Sequence, residues 1–143
     1  MTFPGDQALI AAGALNAAAA VAHLACIVIG APAYRFMGAG EKMAKQADAG
    51  KLRPTLVTLT ISAVLFIWAA YAWSAAGLIA HLPLMKLALP AICAVLLTRA
   101  ALFPLLKPFF PGNTQRFWLV SSGVCLVMGL VHVYGVVLIW PWL

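Results

Sequence analysis

The chain has 143 residues, of which 65% are hydrophobic and only 8% charged, and nine Lys and Arg against three Asp and Glu give it a formal charge of +6. A soluble domain is about a quarter charged, so these few polar residues cannot cover a water-exposed core. With a mean hydropathy of +1.03, the composition predicts an integral membrane protein, where basic residues gather in cytoplasmic loops and imply no nucleic-acid partner.

The opening "MTFPGDQ" carries Asp6 and no Lys or Arg. "GAPAY" ends the following apolar run in the manner of a cleavage site. The positive charges come after the run rather than before it, the reverse of a secretory signal. The expectation is a retained first helix from about Leu9 to Ala31. A polar stretch, "YRFMGAGEKMAKQADAGKLRP", follows, and residues 35–54 form a loop. Glu41 to Ala49 is expected to form a short surface helix, with Glu41 and Lys45 four apart and Gly50 as its stop. A second span runs from about Thr55 to Ile79, then "AHLPLM" turns the chain into a third from about Leu84 to Leu106. "KPFFPGNTQR" is a proline- and glycine-rich turn, and a fourth span runs from about Phe117 to Ile139. Each span is close to the roughly 20 residues a bilayer crossing needs. The fold class is therefore all-α, a polytopic four-transmembrane-helix bundle forming a single domain over residues 1–143.

Arg35, Lys42, Lys45, Lys51, Arg53, Lys107 and Arg116 fall in the first and third loops, whereas Lys86 alone flanks the second. That asymmetry predicts cytoplasmic first and third loops and outward N- and C-termini, in the plasma (inner) membrane of a bacterium. Trp73, Tyr134, Trp140 and Trp142 would mark the outer interface, and Phe109, Phe110, Phe117 and Trp118 the inner one.

Helices in lipid associate through small and polar residues. The first span carries Asn16, Ala19, His23, Cys26 and Gly30 at steps of three and four, and the fourth carries Ser122, Cys125, Gly129 and His132. Both stripes are expected to face the bundle interior, near each other. The second span offers Ala63, Ala70, Ser74 and Gly77, with Tyr71 alongside. Counting about 1.5 Å per residue, the polar groups sort into two layers. Arg99, His23, Ser62 and Ser122 lie roughly 8–12 Å from the cytoplasmic edge, and Asn16, Tyr71 and His132 lie about twice as deep. These seven residues are the candidate ligand-binding set.

Arg99 stands out. An intramembrane charge either snorkels to the interface or faces inward to a partner. Of the three carboxylates, Glu41 alone is expected to stand close to the correct membrane face, so an Arg99–Glu41 ion pair is the internal pairing the sequence proposes. Arg99, Glu41 and His23 are correspondingly the candidate catalytic residues. His23 and His132 raise bis-histidine haem ligation, but an estimated separation of about 10 Å along the normal weighs against it. Trp68, Tyr71 and Ser74 could line an outward-open pocket, with ordinary packing as the plainer reading. Cys26, Cys93 and Cys125 are scattered inside apolar segments and read as buried thiols, and no metal set is expected. None of the four predicted spans contains Asp or Glu, which removes the usual carrier of a proton-coupled exporter.

The size, the outward termini and the larger first cytoplasmic loop resemble the MAPEG family of glutathione- and eicosanoid-handling membrane enzymes, and the size and hydrophobicity are similar to the DoxX-like group. The MAPEG second-helix pattern, an arginine and an asparagine on one face beside a glutamate, has no counterpart in "TLVTLTISAVLFIWAAY", so no site residues carry over. The leading expectation is a membrane protein that binds a small amphipathic, lipophilic ligand or serves as an accessory subunit of a larger membrane assembly. The alternatives are a membrane-embedded enzyme acting on a lipophilic or anionic conjugate near the cytoplasmic face, and a small transporter built as a homo-oligomer.

Overall fold

A computed structural model describes residues 3–143. Seven helices follow in order among these residues, with no strand: α1 (Pro4–Ile29), α2 (Ala31–Phe36), α3 (Glu41–Asp48), α4 (Leu52–Ala75), α5 (Met85–Ala101), α6 (Phe103–Leu106) and α7 (Gln115–Ile139). Three helices, α1, α4 and α7 with its following turn, are long and apolar enough to cross a membrane. A fourth crossing exists if α5 and the stretch Phe103–Phe109, bent by 72°, count as one span.

The helix ends have local causes. α1 begins earlier than its hydropathy suggests, because Pro4 pre-sets the first turn and the Asp6 carboxylate accepts the Phe3 N–H at 3.1 Å. α4 stops at Ala75 rather than Ile79. Gly77 adopts φ +74°, and the Leu78 N–H turns back to the Trp73 carbonyl, a left-handed helix stop that glycine makes without strain. The third span does not run straight to Leu106. It ends at Ala101, before Phe103 and Pro104, and resumes at a steep angle as α6. α7 starts on Thr114, whose hydroxyl accepts the Phe117 N–H at 3.1 Å.

The bundle is two helical hairpins, α1 with α4 and α5 with α7, joined along α1 and α7. α4 and α5 approach each other only lightly. Close approach comes from small residues. A Cβ on Gly13 of α1 would stand 2.3 Å from Trp73 Nε1 of α4, one on Gly135 of α7 2.7 Å from Leu9 Cγ, and one on Gly129 2.7 Å from Leu97 of α5. Polar side chains reinforce the first hairpin and tie α2 to it. Trp73 Nε1–H donates to the Ile10 carbonyl at 3.3 Å, Ser62 to the Ala20 carbonyl at 3.0 Å, and Tyr34 and Thr58 share a bond of 3.0 Å.

The buried faces match the sequence pattern on α7 and depart from it on α4. Trp118, Ser122, Gly129, His132 and Val136 are buried on α7. On α4 the inner face is Thr58, Ser62, Leu65, Ala69 and Ala72, while Ala63 faces outward and Ala70 is half-buried. Alanine costs nothing against lipid, so small size alone does not select a face there. On α1 the buried line is Leu9, Ala12, Gly13, Asn16 and Ala20, with Ala19 and His23 half-buried beside it. The outward surfaces of α4 and α7 are apolar, carrying Ile61, Phe66, Ile67, Val120, Val124, Val127 and Val137. A helix apolar on all sides suits a bilayer rather than water.

The first and third loops meet at one end, where Gly40 (φ +92°) lies against Gly112 so closely that a Cβ would stand 2.3 Å from its carbonyl oxygen. Gly5 packs on Leu138 and Ile139 at the other end, so both termini share it.

Candidate functional site

The candidate residues form two assembled groups and several isolated contacts. The first group joins α1 to α7. Asn16 and His132 are both 0% exposed, and Asn16 Nδ2 lies 3.1 Å from His132 Nε2 and 3.0 Å from the Ala12 carbonyl. His132 Nδ1 lies 2.8 Å from the Met128 carbonyl. A carbonyl only accepts, so Nδ1 carries the proton and Nε2 offers its lone pair to the amide. Asn16 Oδ1 is buried with no partner among the described residues.

The second group joins α5 to α7. The Arg99 guanidinium donates from Nη1 to Ser122 Oγ at 3.1 Å and from Nη2 to Ser121 Oγ at 3.0 Å. Its Cζ sits 4.9 Å from the centroid of the Trp118 ring, a cation–π contact. The indole is itself held edge-on by Phe117, with centroids 5.5 Å apart. Two of the five guanidinium N–H groups are thereby used, which leaves three without a protein partner among the described residues. Half-buried Arg99 also lines a shallow open groove of about 370 Å³ with Ala94, Val95, Thr98, Leu102 and Leu106.

Glu41 is not the partner of Arg99. It belongs to Arg35, whose Nε and Nη2 fork onto its two carboxylate oxygens at 3.0 and 3.1 Å, while Nη2 also reaches Asp48 Oδ2 at 3.0 Å. Arg35 lies in the last turn of α2 and Glu41 begins α3, so the two meet across a short turn, and Lys45 is not the principal contact. The hydrogen bonds from Arg35 hold the Glu41 carboxyl below the usual carboxylate range, and the two carboxylates raise the Arg35 guanidinium in return. A hollow of about 410 Å³ beside Glu41, Lys42, Lys45 and Lys51 lies on the exposed side of this helix.

Other candidates stand apart. His23 Nδ1 bonds the Ala19 carbonyl of its own helix at 2.7 Å, and Ser62 is bound to Ala20. The Tyr71 hydroxyl donates to the Pro83 carbonyl at 3.2 Å, and Ser74 donates to the Ala80 carbonyl and accepts from the Leu82 N–H, each at 2.9 Å. Tyr71 and Ser74 thus brace the second loop, and Trp68 packs against the central core. Arg99, Glu41 and His23 each bond to a different partner: Ser121 and Ser122, Arg35, and the Ala19 carbonyl. Both ring nitrogens of His132 have hydrogen-bond partners, at the Met128 carbonyl and at Asn16, whereas His23 bonds within its own helix. Among the described residues no three His, Cys, Asp or Glu gather as metal ligands.

No family model, curated protein or solved structure matches the chain. Sequence reasoning had passed over Ser121, which lies off the small-residue stripe of α7, and Trp118, which reads as an interface marker. Their signal was position: both sit within one helical turn of Ser122.

Proposed function

We propose that the chain is a four-span integral membrane protein of a bacterial plasma membrane, with both termini outside, that binds a small amphipathic anionic ligand at Arg99. The threading is supported by the cation bias of the first and third loops, which stand together at one end. The bend after α5 makes the third span the shortest, and the apolar outer surfaces suit lipid.

The observation that carries the ligand reading is the guanidinium itself. It is oriented by two hydroxyls and an indole, faces no carboxylate, and borders an open apolar groove. The three carboxylates of the chain are accounted for elsewhere: Glu41 and Asp48 at Arg35, and Asp6 at the start of α1. An intramembrane cation without an internal counter-ion draws its anion from outside the chain. Arginine also presents a planar fork that lysine lacks.

The test compares Arg99→Lys with Arg99→Ala in protein purified in mild detergent, reading co-purified amphiphiles by native mass spectrometry. Loss of the bound amphiphile in both variants is expected. Retention in the lysine variant would make Arg99 a simple interfacial anchor and end the ligand reading. Reporter fusions at the termini and in the second loop test the threading, and a cytoplasmic signal from either terminus would overturn it.

A further inference from the structure

Resting on that ligand reading, we infer that the Arg99 groove is a seat for one anionic phospholipid of the cytoplasmic leaflet, with its phosphodiester on the guanidinium and an acyl chain along α5.

Depth gives the first argument. α5 has 17 residues, which at about 1.5 Å each span roughly 26 Å, short of the roughly 30 Å of hydrocarbon. Arg99 is in its last turn, two residues before the end, and after Leu102 the chain swings through 72°. Counted from Met85, Arg99 stands roughly 21 Å along, about 9 Å short of the far edge of the hydrocarbon, and its long side chain reaches across to Trp118 in the first turn of α7, toward the phosphates. The bend keeps α6 from continuing the α5 axis past this point.

Shape and charge give the second. The groove is lined by Ala94 and Val95 on the deeper side, Thr98 beside the cation, and Leu102 and Leu106 toward the bend. Its occupant has its charge at one end and an apolar body extending inward. The three free N–H groups of Arg99 suit the two non-bridging oxygens of a phosphodiester, and Thr98 adds a hydroxyl to the wall. No carboxylate neutralises Arg99, so a lipid with net negative charge is favoured over a zwitterionic one that brings its own cation.

The experiment titrates detergent-purified full-length protein with phosphatidylglycerol, phosphatidylcholine and oleate, with and without millimolar inorganic phosphate, and counts adducts by native mass spectrometry. Phosphatidylglycerol is expected to bind about tenfold more tightly than phosphatidylcholine, since charge-assisted bonds contribute on this scale. Arg99→Gln should abolish that preference. Ala94→Leu should reduce phosphatidylglycerol binding at least severalfold while keeping the cation, because Ala94 is exposed and its enlargement fills the groove without touching the core. Lys86→Gln, beside the opposite loop, should change nothing. Equal affinity for the two phospholipids, or undiminished binding in Ala94→Leu, overturns the phospholipid seat, and the latter result decides the matter even if Arg99→Gln fails to fold. Displacement by inorganic phosphate would make this a free-anion site. Oleate bound through Arg99 in place of phosphatidylglycerol would refute the lipid class and leave the broader ligand reading standing. Binding of none of the probes would refute both.

Discussion

Replacing His132 by Leu tests the α1–α7 contact most directly. The native pair has one bond from Asn16 Nδ2 to His132 Nε2 at 3.1 Å and an Asn16 Oδ1 without a partner. His132→Leu strands one amide N–H beside that oxygen. A buried unmet polar group costs about 1–3 kcal/mol, and an interhelical hydrogen bond in a membrane protein adds about 0.6 kcal/mol. The single variant should therefore lose about 2 kcal/mol. Asn16→Leu leaves Nε2 without a donor but also removes the unpartnered oxygen, so its loss should stay within about 1 kcal/mol. Changing both removes the unmet polar atoms together, so the double variant should lose less than His132→Leu alone even though leucine is bulkier than asparagine. Unfolding by sodium dodecyl sulfate in mixed micelles, followed by tryptophan fluorescence, measures all four proteins. Independent sites add within about 0.5 kcal/mol. If the two single losses add to the double within that margin, the bond does not couple the helices and the reasoning fails.

Gly13→Val should destabilise by about 2 kcal/mol or more, because the new Cβ meets Trp73 at 2.3 Å; Trp73→Ala in the same background should recover part of the loss in the same assay. The Arg35–Glu41 clasp should release at acid pH. Its contribution is complete above the ordinary carboxylate pKa of 4.5, and it is lost as pH falls through the depressed value of Glu41. Hydrogen exchange over residues 35–48 should therefore quicken, relative to intrinsic rates, below pH 4 but not between pH 8 and 5. Co-expressed fragments 1–80 and 82–143 should assemble and co-purify, since each retains one hairpin; failure when both are inserted would count against α1–α7 as the joining surface.

Hydropathy locates the three helices long and apolar enough to cross a membrane, and the bent stretch from Met85 that would make a fourth, because a crossing must be long and apolar whatever its packing. The pairing of Asn16 with His132 was nearly legible as well. Both belong to stripes at helical spacing and to one depth, and polar groups in hydrocarbon must find each other. Arg99 and Ser122 also shared a level, which the structure turns into a hydrogen bond. Depth without azimuth misled for Ser62 and His23, which share that level but stay within the α1–α4 hairpin. The break after Ala101 was hidden because "ALFPLLKPFF" stays hydrophobic through the bend. Scarcity of carboxylates points Glu41 toward Arg99, but chain distance favours a nearer cation. Arg35, six residues away across a glycine-bearing turn, reaches it first.

The joining of α1 to α7 links the first long apolar helix of the described residues with one made much later in the chain. During synthesis, α1 and α4 are complete while the sequence around His132 is still to come. Until α7 arrives, the amide of Asn16 has its own backbone at Ala12 as company and no imidazole. A chain arrested before α7 thus lacks the one side-chain partner of the Asn16 Nδ2 group, which His132 supplies only once α7 has been made. The same side chain that holds the finished bundle together reports, on an unfinished one, that a segment is missing.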